Sequence, residues 1–178
     1  LMEKHYAGRE MNPLEIWSYE HIDPHPNDDV PFWYVVVHSP ESREILLLEK
    51  TRDGFRVDWE THVGHNPLPP DAYVRERPAG KMNFRVYVSP DDYYAGKFDE
   101  RGKLLSAKLE FANSSVNLVG YIERQSPDFS RFLKLVDQRK QVPMILSLEW
   151  PTDDGVGVSN PPQVKICELV AERWVIID

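Results

Sequence analysis

The stretch from Glu44 to Val63, EILLLEKTRDGFRVDWETHV, decides how the chain is read. Glu44 to Thr51 and Phe55 to Val63 form two strands of a hairpin on this reading. Asp53-Gly54 stands between them as the turn pair that a type I′ geometry favours, because both central residues of that turn need positive φ. On the second strand Phe55, Val57 and Trp59 share one face, while Arg56, Asp58 and Glu60 share the other. Alternation with one apolar face is the mark of an antiparallel sheet that meets the core on one side and water on the other.

Upstream, Ile16 to Ile22 reads as a strand, and Phe32 to Val37 (FWYVVV) as a strand buried on both faces. Asp23 to Asp29 (DPHPNDD) is a loop by composition. Leu1 to Tyr6 reads as the tail of a helix ending at Gly8, as in an excised piece whose upstream signal or anchor lies out of view.

Downstream, residues 67–81 form a Pro-rich connector in which Pro70 and Asp71 open a short helix through Arg77, since proline suits a first helical turn. Met82 to Val88 alternates as a strand, and Ser89-Pro90-Asp91-Asp92 resembles a helix cap and first turn. Leu104 to Phe111 and Val116 to Glu123 pair as a hairpin. Ser126-Pro127-Asp128 starts a helix with Phe129, Phe132, Leu133 and Val136 on one face. Met144 to Trp150 and Gln163 to Val170 follow as strands, and Trp174 to Ile177 closes the chain as a short one. Leaving that last short strand aside, residues 82–178 run β-β-β-α-β-β, an order that fits a five-stranded oligonucleotide/oligosaccharide-binding barrel and a plain α+β sheet equally well. The expected organisation is a helix-plus-sheet region at 1–66, the connector at 67–81, and a β-rich region at 82–178, as separate domains or as one continuous domain.

A chain of 178 residues with 41% apolar and 11% aromatic side chains has enough apolar material for a globular core. No apolar run approaches the roughly 20 residues of a membrane helix, so no membrane contact is expected of this segment. The net charge of −8 is uneven: −7 in residues 1–65, which hold all six histidines, and −1 in the rest. Such a balance gives no general attraction to nucleic acid. Cys167, alone in an apolar run, reads as a small buried hydrophobe.

Asp53-Gly54-Phe55-Arg56-Val57-Asp58-Trp59 resembles a strand of the nuclear-transport-factor-like (cystatin-like) cone superfamily, in which a curved antiparallel sheet wraps helices that come first. The resemblance implies a cone-like curved sheet in the first half. The expected class is thus α+β, mainly antiparallel, with that sheet packed against the second half. The whole chain also looks like a set of uncharacterised bacterial proteins, on Val57-Asp58-Trp59-Glu60, Phe84-Arg85-Val86-Tyr87-Val88, Gly120-Tyr121-Ile122 and Arg173-Trp174-Val175. That likeness implies an envelope-associated or periplasm-like domain behind an N-terminal anchor, and otherwise a cytoplasmic one. It brings no activity with it.

Several constellations carry possible chemistry. His21-x-Asp23-x-His25 has metal-like spacing, without a third His or Cys at ligand distance. Asp58, Glu60 and His62 share a strand face by period two, and in a cone Asp58 and His62 would serve as a general-base pair. Asp91-Asp92 and Asp153-Asp154 read as a helix start and a loop. Lys81, Arg85, Lys108, Arg124, Arg131, Lys134, Arg139 and Lys140 interleave with Phe84, Tyr87, Phe111 and Tyr121, the ingredients of a single-strand-binding face. No glycine-rich phosphate loop, serine elbow or Cys-x-x-Cys occurs, and no cofactor is implied. The expectation is a non-catalytic binding or interaction module of a bacterial envelope protein, taking a small ligand or a protein partner. The alternatives are a cone-fold enzyme and a barrel for oligonucleotides or oligosaccharides.

Overall fold

The computed structural model describes residues 6–8, 15–22, 32–136, 141–151 and 160–174. The chain divides into two compact units, Leu1–Val63 and Gly64–Asp178.

The first unit is an antiparallel meander of β1 (Ser18–Ile22), β2 (Phe32–His38), β3 (Arg43–Thr51) and β4 (Gly54–Val57), hydrogen-bonded in chain order. β2 is buried on both faces only in its second half, where Val36 and Val37 are inaccessible and Trp33 is 36% exposed. The β3–β4 hairpin differs from a type I′ turn. Thr51 pairs with Gly54, so Arg52 and Asp53 are the central residues, and neither has positive φ. The positive φ falls on Gly54, at 124°, a region open to glycine because it lacks Cβ.

β4 also ends earlier than the alternation suggests. Residues 58–63 form a helical turn, α1 (Trp59–His62), instead of continuing the strand. Asp58 is its N-cap: Thr61 donates its backbone N–H to Oδ1 at 3.1 Å and its hydroxyl to Oδ2 at 2.7 Å. Val63 caps the C-terminus and Gly64 follows at φ 59°, the left-handed stop that glycine takes at least cost. Local capping chemistry thus overrides the strand pattern.

The second unit is built on five strands: β5 (Met82–Pro90), β6 (Leu104–Glu110), β7 (Asn117–Glu123), β8 (Val142–Glu149) and β9 (Gln163–Ala171). β5, β6 and β7 follow one another as an antiparallel meander. α3 (Phe129–Val136) then crosses over, and β8 and β9 form a second antiparallel pair. The sheet closes on itself in the order β5-β6-β7-β9-β8, through an antiparallel β5–β8 ladder and a parallel β7–β9 ladder. Closure removes the free edges that an open five-stranded sheet would present. The molecule is therefore α+β, with an antiparallel first sheet and a mixed, closed second one.

Every strand of the ring sends its apolar face inward. Phe84, Val86, Leu109, Leu118, Ile122, Leu146, Leu148 and Val164 are fully buried there, with Phe132 of α3 among them. Gly120 belongs to this interior by subtraction. A Cβ at that position would lie 2.8 Å from Leu109 Cδ1 and 2.9 Å from Ile166 Cδ1. The residues read as a connector belong to this unit: α2 (Pro70–Glu76) inserts Tyr73, fully buried, against Phe84 and Trp150, with ring centroids 4.3 and 5.1 Å away. Burying an aromatic of this size stabilises the fold by about 2–3 kcal/mol.

Ser89 to Asp92 does not open a helix. β5 runs on to Pro90, and the acids are committed elsewhere: Asp91 accepts from the Ser106 hydroxyl at 3.1 Å and Asp92 from Arg101 at 2.8 Å. Only a three-residue 3₁₀ turn, Gly96–Phe98, forms in the segment before β6. The strand expected at Trp174 to Ile177 and the helix expected at Leu1 to Tyr6 lie almost wholly outside the described residues.

Candidate functional site

The ladder registers sort the first sheet into two faces. Tyr19 opposes Val37, His21 opposes Val35, Trp33 opposes Leu48, Leu48 opposes Val57, and Phe55 opposes Lys50. Because opposed residues share a face, Tyr19, His21, Trp33, Phe55 and Val57 all lie on one side of the sheet. These positions are exposed, although Val37 on the same side is buried. Tyr19 is 73% exposed, Phe55 52%, Val57 45% and Trp33 36%. The rings stack on one another. His21 lies 4.4 Å from Trp33, centroid to centroid, and Trp33 meets Phe55 edge-on at 5.3 Å. Trp17, just ahead of β1, is 67% exposed. Single exposed aromatics are ordinary, but several on one sheet face make an exposed apolar patch.

Phe55 and Val57 are the alternating set expected to face a core, and they face solvent instead. Pattern alone gives the face but not what covers it.

The expected acid–base pair does not assemble. With α1 in place of a strand, Asp58, Glu60 and His62 no longer share a face by period two. Both carboxylate oxygens of Asp58 are taken by Thr61, and the His62 imidazole lies 3.6 Å from Glu44 on β3. A sequence signal for this was present: an Asp followed by Trp-Glu-Thr, with glycine six residues on, is a cap and a stop as much as a strand.

Of the metal-like set, His21 stacks on Trp33, whereas Asp23 and His25 lie outside the described residues. Among the described residues no group of three His, Cys, Asp or Glu side chains is placed to hold an ion. Asp153 and Asp154 also fall outside them. Cys167 on β9 is half-buried and donates to Glu149 Oε2 at 3.5 Å. Burial, then the hydrogen bond and charge of Glu149, push its thiol up, away from the reactive thiolate.

The aromatics of the basic set are not stacking platforms. Phe84, Phe111 and Tyr121 are buried, and Tyr87 packs on Trp174 at 4.5 Å. Arg85 donates to the carbonyls of His65 and Trp174, Lys108 pairs with Glu110, and Arg131 with Glu172. Arg139 and Lys140 lie outside the described residues. Tyr121 does point outward from β7, but residues 93–98 cover it. Phe98 lies parallel on its ring, Tyr94 packs beside it at 5.9 Å, and its hydroxyl donates to the Tyr93 carbonyl at 2.9 Å.

No helix among the described residues is long and apolar enough to cross a membrane. No model of a known protein family matches the chain, and no match was found among curated proteins or solved structures.

Proposed function

We propose that this chain is a non-catalytic interaction module whose working surface is the aromatic face of the β1–β4 sheet, and that it takes a protein partner. The observation that carries this reading is the exposure of Tyr19, Trp33, Phe55 and Val57 together on one sheet face. Aromatic anchors of this kind are what protein interfaces bury at their centres. The helix-capping role of Asp58 supports a non-catalytic reading, because the carboxylate best placed by sequence for general-base work is spent on α1.

The test is site-specific photo-crosslinking in the native cells, with a benzophenone amino acid at Tyr19 or Phe55 and a control at Arg56, which opposes Glu49 on the other face. One defined adduct from both aromatic positions, absent from Arg56 and lost in Trp33→Ser, is the expected result. Equal labelling from all three positions, or none, counts against the reading.

A second reading has one observation in its favour. The ring order β5-β6-β7-β9-β8, with α3 between the third and fourth strands, suits an oligonucleotide- or oligosaccharide-binding barrel. Oligonucleotide titration at low salt tests it, and salt-sensitive binding is its signature.

A further inference from the structure

The second unit carries a cleft of about 570 Å³ where the start of β6 meets the end of β7. That volume lies within the roughly 300–1,000 Å³ of small-molecule sites. Phe98 and Leu104 supply its apolar floor, and the two turns at residues 100–104 and 123–126 form its rim. The turns are locked to each other, since Arg124 donates its backbone N–H to the Lys103 carbonyl at 2.8 Å.

The charges around this rim do not balance. Lys103, Lys165 and Arg124 face two carboxylates, Glu100 and Glu123. Each carboxylate is engaged by one lysine, Glu100 by Lys103 at 2.5 Å and Glu123 by Lys165 at 2.7 Å. Positive charge is therefore in surplus here, on a chain whose net charge is −8. Arg124 is held for use. Its Nε donates to the Arg101 carbonyl at 3.2 Å, and its guanidinium lies 5.5 Å above the Phe129 ring. These contacts fix the plane of the group and leave its two terminal nitrogens as donors. A guanidinium positioned in this way matches the paired oxygens of a carboxylate or phosphate.

We infer that this cleft binds a small organic oxyanion, with Arg124 gripping the anionic head group and the body resting on Phe98 and Leu104. The size of the cleft suits a ring-sized body, and the apolar floor excludes a bare inorganic ion as the best fit. The site lies wholly within the second unit, so it stands or falls independently of the aromatic face on the first.

The experiment is amide chemical-shift titration of the full chain at low salt with three probes: glucuronate, glucose 6-phosphate and neutral glucose. At least one anion is expected to shift the amides of residues 97–104, 123–125 and 165, and glucose to leave them unmoved. Which anion binds identifies the head group. Arg124→Lys keeps the charge but loses the fork, and should weaken binding at least 5-fold; Arg124→Ala should weaken it at least 10-fold, with the remaining spectrum unchanged. The inference is overturned if neither anion shifts those amides, if glucose shifts them equally, or if both variants bind as the parent does.

Discussion

Phe98 lies face to face on Tyr121, with ring centroids 4.2 Å apart and planes within 5° of parallel. Tyr121 stands on the outer side of β7 yet is wholly inaccessible, because residues 93–98 bring Tyr93, Tyr94 and Phe98 down onto it. The segment thus gives the ring a second apolar layer outside the barrel core. An outward-facing aromatic on a barrel strand is the kind of surface on which a planar ligand stacks, and here the chain's own Phe98 occupies it.

Truncating that ring removes the layer's centre. Phe98→Ala should destabilise the protein by about 3 kcal/mol, the lower part of the range for losing a buried phenylalanine. Urea unfolding gives the size of the loss, and acrylamide or proteolytic sensitivity confined to residues 91–103 locates it. A loss under about 1 kcal/mol would show that the stack contributes little.

Alkaline pH tests the burial of two phenols. Burial holds the Tyr73 and Tyr121 hydroxyls well above the usual tyrosine range, with Cys167 and Glu149 adding to the effect on Tyr73 and Asp91 on Tyr121. The native state therefore keeps protons that the unfolded state releases near pH ~10. Stability is fully present below that pH and falls as pH rises beyond it. Unfolding midpoints between pH 8 and 11 should begin to decline near pH ~9, where the unfolded Cys167 thiol ionises, and fall more steeply above about pH 10 as the phenols follow, and Tyr121→Phe should lessen the steeper part. A flat profile for the parent would contradict the buried placement.

The glycine inside β7 has a steric reason that substitution exposes. In Gly120→Ala the new methyl meets Leu109 and Ile166 side-chain carbons at 2.8–3.0 Å, inside contact distance. Overpacking of this kind should cost about 1–3 kcal/mol. A thermal or urea midpoint equal to the parent's would mean that the neighbours yield without strain.

For Asp58 the decisive comparison is between two substitutions. As a helix cap, Asp58→Asn should remain close to the parent while Asp58→Ala loses about 1 kcal/mol, since asparagine accepts the same backbone hydrogen bond. If both variants were equally unstable, the charge and not the cap would be what matters at this position.

Much of the second unit is legible in residue order. The alternation Phe84, Val86, Val88 names β5 and its buried face, and the i, i+3, i+4, i+7 set from Phe129 to Val136 names α3, of which Phe132 and Val136 are buried while Leu133 is 38% exposed. The short helix at Pro70 is legible for the same reason, because proline and acid at a helix start act locally. Asp58 was harder. A strand alternation and a capping signal overlap there, and the cap prevails because both carboxylate oxygens find donors on Thr61 three residues on.

Residue order alone carries what is local: which segments extend, which coil, and which side of each is apolar. These follow from backbone sterics and side-chain period, which act over a few residues. Tertiary structure decided the rest: the closing β5–β8 and β7–β9 ladders, the insertion of Tyr73, the covering of Tyr121, and the open aromatic face of the first sheet. Each of those depends on which distant segment arrives to remove water from an apolar surface, and a residue's own neighbours in sequence do not encode that choice.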